Sequence, residues 1–549
     1  MTRWWCIWPL LLAVALFGGP ACGGDDDDDA ADEAVGESLD DDEGPTWDAI
    51  AEFPVGYTHH LIKADPAPDN PVTGAATPDQ YNWVSLFRFR PQEDIDAGEP
   101  APPVDAVVIF MPGFAAGATQ LFELARQIVV ASEGRIEVWV PDRRHNWLED
   151  QFGMDLAEER RDPWIAYSYY YLGEEVEGHK FKDPNAFNEE TAFVAEWGLD
   201  TIMHDLRAVV RHVPGPYRAT NVFLAGDSRG VAFAQAFAAY EFEDGRLGCE
   251  DLAGLILWDG GQRFLYGLDE ESYRQSRFLI RSGVLPRTFS LEAKDYFFME
   301  TFAMATTEGF AADASNPYYG PDGFFPDRGP FQDVLNVLTR GNDVRLTNEA
   351  VFGMILDSDT MVVPQYAAHM GKLGGGELGL DPLGMYPAEE GATYTWRRWD
   401  ELEVPELIDS QKLAKLIYAG PSNFIDPYYA SRLDLDMTAA QYFETEGTWA
   451  HNYFHFFSSR VDVPVFAVSS LLYTFSPLMD EYRQAIAPVR GTTGPRTDDE
   501  FHHILRPEWS HLDALLVEPA FNPVVPALVK WIDRWKTGQV QITPMIDAD

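Results

Sequence analysis

The feature that most constrains this chain is a series of short, almost unbroken apolar runs separated by segments of helical period. Val104-Asp105-Ala106-Val107-Val108-Ile109-Phe110-Met111 stops at Pro112-Gly113-Phe114, and the run over 136–140 stops at Pro141-Asp142. Further runs lie at 221–225, 253–258 and 463–468. Runs of this length without polar alternation suit strands covered on both faces. Between them, residues 119–132 place Leu121, Leu124, Ile128 and Val129 at helical spacing, and helices are also predicted over 197–212 and 230–240. Strand, helix, strand with short links predicts an α/β fold, a mostly parallel central sheet with helices on both faces. Residues 81–89 alternate enough for another strand. Residues 501–505 are predicted as the last strand and 524–535 as the closing helix.

Two stretches break this rhythm. Residues 143–196 are a polar and aromatic excursion, and 263–460 are rich in Pro, Gly, Tyr and Phe. The second leaves after one predicted strand and returns before the next, which predicts a cap inserted between a first core part, 47–262, and a C-terminal core part, 461–549. A chain of 549 residues is long enough for both a large core and such an insertion. Asn316-Pro317-Tyr318-Tyr319, Phe324-Phe325 and Tyr453-Phe454-His455-Phe456-Phe457 either line an apolar pocket or form the cap's own core.

The N-terminus is of another kind. Arg3 precedes an apolar run, Ile7 to Phe17, too short to span a bilayer but suited to the h-region of a secretory signal. Gly18-Gly19-Pro20-Ala21-Cys22 and the acidic spacer after it resemble the start of a bacterial lipoprotein. That resemblance implies a signal over 1–21, acylation at Cys22 and a solvated tether over 22–46; cleavage after Ala21 without a lipid is the alternative. The Asp25–Asp29 run is tether and not a calcium loop, because like charges in sequence repel and no Gly spaces them as ligands. Beyond Cys6 and Cys22 the chain has only Cys249, in the polar stretch 243–251, so no internal disulfide is predicted and the thiol reads as a bystander.

The chemistry concentrates in Asn221-Val222-Phe223-Leu224-Ala225-Gly226-Asp227-Ser228-Arg229-Gly230. It reads strand, sharp turn, helix, with Gly226 and Gly230 where the helix must pass close to the strand. That placement lifts the Ser228 hydroxyl above the sheet edge over a helix N-terminus. A serine at its own pKa is a poor nucleophile and needs a base. Of 12 histidines, His511 in Pro507-Glu508-Trp509-Ser510-His511-Leu512-Asp513 stands after the last predicted strand and before the terminal helix. His502 and His503 fall within that strand and read as polar strand residues. No His-Glu-x-x-His, paired Cys or close run of His suggests a metal site, and Gly374 to Gly376 lack the Lys and Ser/Thr of a phosphate loop.

Strand, Gly-x-Ser-x-Gly, helix, then a late Ser510-His511-x-Asp513 and a Trp-containing terminal helix, resemble the α/β-hydrolase superfamily over about 105–262 and 461–540. The resemblance implies a Ser-His-Asp triad without cofactor, and an oxyanion hole made by the backbone N–H groups of Arg229 and Phe114. Most members place the acid after the strand that is here 464–468, but residues 469–479 carry no carboxylate, and Asp480 is the first one after that strand. A second solution in the family, similar to some haloalkane dehalogenases and lipases, puts the acid one strand earlier. Asp259 in Leu257-Trp258-Asp259-Gly260-Gly261 fits it, and Asp480 is the alternative.

The function predicted is cleavage of a carboxylic ester through an acyl-enzyme by an exported enzyme. A peptidase of the same fold and a non-catalytic ligand-binding lipoprotein are the alternatives. The formal charge is −49; residues 1–43 set Arg3 against twelve Asp and Glu, leaving −38 on the rest. A body so acidic does not bind nucleic acid by charge. The partner predicted is a small-molecule or lipid-like ester, with membrane contact only through the N-terminal lipid.

Overall fold

The computed structural model describes residues 53–184, 187–261, 267–289, 293–310, 332–361, 364–474 and 476–547. The predicted signal, Cys22 and the tether lie outside these, as do the aromatic patches at 316–319 and 324–325.

Nine strands form one sheet: β1 (Val55–Lys63), β2 (Trp83–Pro91), β3 (Ala106–Met111), β4 (Ile136–Pro141), β5 (Val222–Asp227), β6 (Gly254–Trp258), β7 (Val465–Ser470), β8 (Phe501–Arg506) and β9 (Ile546–Asp547). Their order is β8-β7-β6-β5-β3-β4-β2-β1-β9. From β8 to β4 every pairing is parallel, while β2, β1 and β9 join antiparallel at one side. The apolar runs are strands because their residues are covered on both faces: β3, β4, β5, β6 and β7 are buried at every position. Ile109 stands between Leu224 on one side and Trp139 on the other. Helices Phe122–Ala131 and Val524–Trp535 pack on each other, and Leu199–Val210 packs on Arg229–Ala239. This is the α/β-hydrolase fold.

Strand boundaries differ from the expected ones where a polar side chain has a better partner than the ladder. Val104 pairs with Val540 in an isolated bridge, and β3 begins only after Asp105, whose carboxylate takes Lys536 and Gln539. Asn221 is not in β5; it ends the helix Gly215–Asn221, with its amide donating to Asp105 O and Thr537 O. The 81–89 strand begins at Trp83 and runs to Pro91, and β1 and β9 are sheet members that the apolar pattern does not announce.

Between β6 and β7 the chain leaves the sheet. It builds helices such as Glu270–Arg281, Asn348–Leu356, Ser410–Tyr418 and Ser431–Ala439, a three-stranded sheet (Arg345–Leu346, Thr393–Arg398, Gly371–Gly374) and a hairpin (Leu378–Asp381, Gly384–Pro387). The patch at 453–457 is packing and not pocket wall. Phe454, Phe456 and Phe457 are buried, Phe457 N–H donates to Ala239 O, and Phe456 bridges Tyr240.

The tightest constraint lies where β5 meets its helix. A Cβ on Gly226 would stand 2.0 Å from Gly230 O, and one on Gly230 2.2 Å from Met111 O. Both neighbours are backbone and cannot give way. Gly230→Ala is therefore expected to destabilise by about 3 kcal/mol or more, as overpacking against rigid backbone does. Gly215→Ala, where a Cβ meets nothing within 4 Å, is expected to stay within about 0.5 kcal/mol of the parent. Denaturant midpoints of the two variants check this, and equal losses would contradict it.

Candidate active site

Ser228 sits between β5 and the helix Arg229–Ala239 with φ 52° and ψ −117°, a left-handed φ that a non-glycine residue adopts only under constraint. The constraint is the close passage at Gly226 and Gly230 together with a hydrogen bond from Ser228 N–H to Trp258 O at 3.0 Å. The hydroxyl is carried at the partly exposed end of the sheet, and the first turn of an 11-residue helix begins beside it.

Asp259 follows β6 in the same strained region, with φ 46°. Its N–H donates to Val468 O, and its side chain is fully buried. The carboxylate accepts from Ser470 N–H at 2.6 Å, Ser470 Oγ–H at 2.7 Å and His511 Nδ1–H at 2.5 Å. With Nδ1 donating, the imidazole's Nε2 is left as the acceptor. The next residue, Gly260, lies against the elbow: a Cβ there would meet Ser228 O at 2.1 Å. Asp259 and Ser228 are thus fixed to each other through backbone. No hydrogen bond joins Ser228 Oγ to His511 among the described residues.

His511 is in the loop after β8. That loop is tied by Leu471 N–H to Trp509 O, and by Asp513, which accepts from Ser510 N–H and from the backbone N–H and Nδ1–H of His369. Burial disfavours the imidazolium, but the hydrogen bond and charge of Asp259, with Asp227 behind it, outweigh this and hold the His511 pKa above its ordinary value. Asp480 is elsewhere. It is exposed in the first turn of helix Leu478–Ala485 and lines a surface cleft with Arg483 and Arg496, and no hydrogen bond or ion pair links it to His511 among the described residues.

Phe114 follows the Gly113 that lies against Ser228, and Arg229 opens the helix directly after it. A Cβ on Gly113 would stand 3.2 Å from Ser228 Cβ, so the Pro112-Gly113-Phe114 turn runs directly over Ser228. The Phe114 ring packs on Phe289 and Tyr429. Arg229 sends its guanidinium up to Asp434, 3.0 Å away on helix Ser431–Ala439.

Sequence reasoning missed several neighbours. Ser470 ends β7 and serves as a double donor to the Asp259 carboxylate that follows the neighbouring strand. The signal was present as a polar pair, Ser469-Ser470, closing an apolar run. Asp227 is buried with its pKa pushed up to about 8 by burial, with Asp259 adding and His511 opposing. Tyr366 and Tyr473 place their rings 5.8 and 6.2 Å from that of His511; their long-range approach leaves no trace in spacing. His503 is bonded to Ser469 within the sheet. Cys249 is buried, and burial pushes its thiol up to about 12. Among the described residues no three His, Cys, Asp or Glu side chains converge as metal ligands.

No family model and no curated protein sequence matches the chain. Solved structures do resemble it. They include a thermophilic esterase from Thermogutta terrifontis (12% identity, 87% of this chain and 99% of that one, TM-score 0.33). A monoglyceride lipase from Saccharomyces cerevisiae is similar at 11% identity over 87% and 96%, TM-score 0.33. The epoxide hydrolase VrEH1 from Vigna radiata is similar at 10% identity over 88% and 99%, TM-score 0.35.

Proposed function

We propose that this chain is an exported serine hydrolase that cleaves a carboxylic ester through an acyl-enzyme. The observation that carries the reading is the strained Ser228 elbow standing in backbone contact with the strand end that holds Asp259 on His511. Ser228 Oγ attacks the ester carbonyl while His511 Nε2 takes its proton. Asp259 holds the imidazole in the Nδ1–H tautomer and stabilises the imidazolium, without taking a proton itself. The N–H groups of Phe114 and Arg229 receive the oxyanion as the carbonyl becomes tetrahedral. Collapse expels the alcohol, which leaves with the proton from His511. A water then repeats the sequence on the acyl-enzyme, freeing the acid and restoring Ser228.

The carboxylate on His511 at 2.5 Å favours the catalytic reading over a non-catalytic ligand-binding lipoprotein. Reaction with a fluorophosphonate probe, lost in Ser228→Ala, separates an enzyme from a binder. Persistent labelling of Ser228→Ala would remove Ser228 from the account.

The assignment of the acid has its own test. Asp259→Asn is expected to lower kcat on the order of 10⁴-fold, as a wrong tautomer does in another triad enzyme, while Asp480→Asn leaves kcat within about threefold, as a surface change does. Reversed results would move the acid to Asp480.

His511 acts only when neutral, and its pKa is held above the ordinary imidazole value. In the parent enzyme kcat/KM is therefore expected to rise with pH through a midpoint above about 6.5. A profile flat from about pH 5 to 9 would mean that no such base is at work.

Export and anchoring belong to the same proposal. The mature chain is expected to begin at acylated Cys22 and to partition with membranes; intact-mass analysis and a Cys22→Ala variant released into the soluble fraction check this.

A further inference from the structure

The turn that carries the Phe114 N–H is held from behind by one side chain. Arg143, buried in the loop after β4, donates from Nη1 to Pro112 O at 2.8 Å and from Nη2 to Ala116 O at 2.5 Å. Its fork thus grips the carbonyls on either side of Gly113-Phe114-Ala115. The third donor, Nε–H, goes to His145 Nε2 at 3.2 Å. His145 Nδ1 lies 2.5 Å from Asp426 Oδ2, and both of those side chains are fully buried. Asp426 closes the circuit, because its own N–H donates to Ala115 O at 2.8 Å. Ala115 has φ 45°, a strained value for a residue with a Cβ, so the turn needs such restraint to persist.

We propose that Arg143 is a positioning residue for the oxyanion donor at Phe114, and that Asp426, from the insertion between β6 and β7, sets the orientation of Arg143 through His145. The inference rests on the hydrolase reading above.

The chemistry of the relay supports it. Arg143 can donate to His145 Nε2 only if that nitrogen carries no proton, which requires the Nδ1–H tautomer facing Asp426. Burial, opposed by Asp426, lowers the His145 pKa and favours this neutral form. A guanidinium is always protonated and presents its donors in a rigid planar fork, so the carbonyls of Pro112 and Ala116 are fixed at once. An ammonium would hold one of them. Backbone donors act on an oxyanion only when preorganised, since a displacement of about 1 Å can cost on the order of 10²-fold in rate. The aromatic rings of Phe233 and Tyr429, 5.5 and 5.3 Å from the guanidinium, keep it in place.

The test uses the full chain with a p-nitrophenyl ester and a fluorophosphonate. Arg143→Lys keeps the charge and loses the fork; Asp426→Asn keeps the volume and removes the carboxylate charge that faces His145 Nδ1. Each is expected to lower kcat by roughly 10²-fold with KM within about threefold. Each should also slow phosphonylation while final labelling still reaches one per chain, because Ser228 and His511 are intact. The double variant is expected to lose little more than Arg143→Lys alone, since both act through one relay. Folded variants with kcat near the parent's, a loss confined to KM, or additive losses would overturn the proposal. Should Arg143→Lys fail to fold, the kcat and KM of Asp426→Asn decide it alone. Labelling that survives in Ser228→Ala would instead sink the hydrolase reading, and a label that depends on Ser228 but is indifferent to both variants would sink this inference only.

Discussion

At Gly226 and Gly230 the backbones of a strand, its following helix and the end of β3 approach so closely that no Cβ fits between them. Everything at the site depends on that approach. It forces Ser228 into a left-handed φ, and it brings Met111 and the turn after it against the first turn of the helix. Ser228 N–H also bonds the carbonyl that ends β6, so Asp259 is placed by the same contact. A parallel sheet supplies the rest, since its strands all finish at one edge and their ends fall side by side.

Three adjacent strands leave that edge through a strained non-glycine residue: Ala115 shortly after β3 at φ 45°, Ser228 after β5 at φ 52°, and Asp259 after β6 at φ 46°. Each such residue costs about 1–3 kcal/mol and persists only where its surroundings over-determine it. The determinants are specific. Asp426 N–H holds Ala115 O, Trp258 O holds Ser228 N–H, and Val468 O holds Asp259 N–H, with Ser470 fixing the Asp259 side chain. Among the described residues, three of the nine non-glycine residues with positive φ fall at the positions proposed for oxyanion turn, nucleophile and acid. The left-handed turn is what lifts each residue out of the pleat and over the sheet edge.

The sequence made legible what depends on local pattern. Unbroken apolar runs located β3 to β7, the two glycines located the elbow, and a strand ending in Trp258-Asp259-Gly260-Gly261 pointed to the carboxylate that bonds His511. Strand ends were misjudged where a side chain took a non-ladder partner, as at Asp105 and Asn221. What could not be read was whatever depends on long-range closure. The short strand β9 pairs with β1 from the far end of the chain, and His60 opposite Asp547 has no pattern that announces it. Ser470 serving Asp259, and Asp426 facing His145, each join residues far apart in sequence. Their residue types carry no signal until the fold brings them together.

The buried arginines fall into two groups, those that meet a carboxylate directly and those, Arg143 and Arg496 among them, whose donors go to backbone carbonyls. Arg88 is matched by Glu137 and Glu99, Arg144 by Asp205, and Arg432 by Asp436, all at 2.7 Å or closer. In each the guanidinium meets a carboxylate directly, which offsets much of the cost of burying the charge. Arg143 has no carboxylate within ion-pair reach among the described residues; its donors go to two carbonyls and an imidazole. Its countercharge at Asp426 is one residue removed, through His145. Interposing an imidazole leaves both arms of the fork free for Pro112 O and Ala116 O, the distribution of donors that holding the turn between those carbonyls requires.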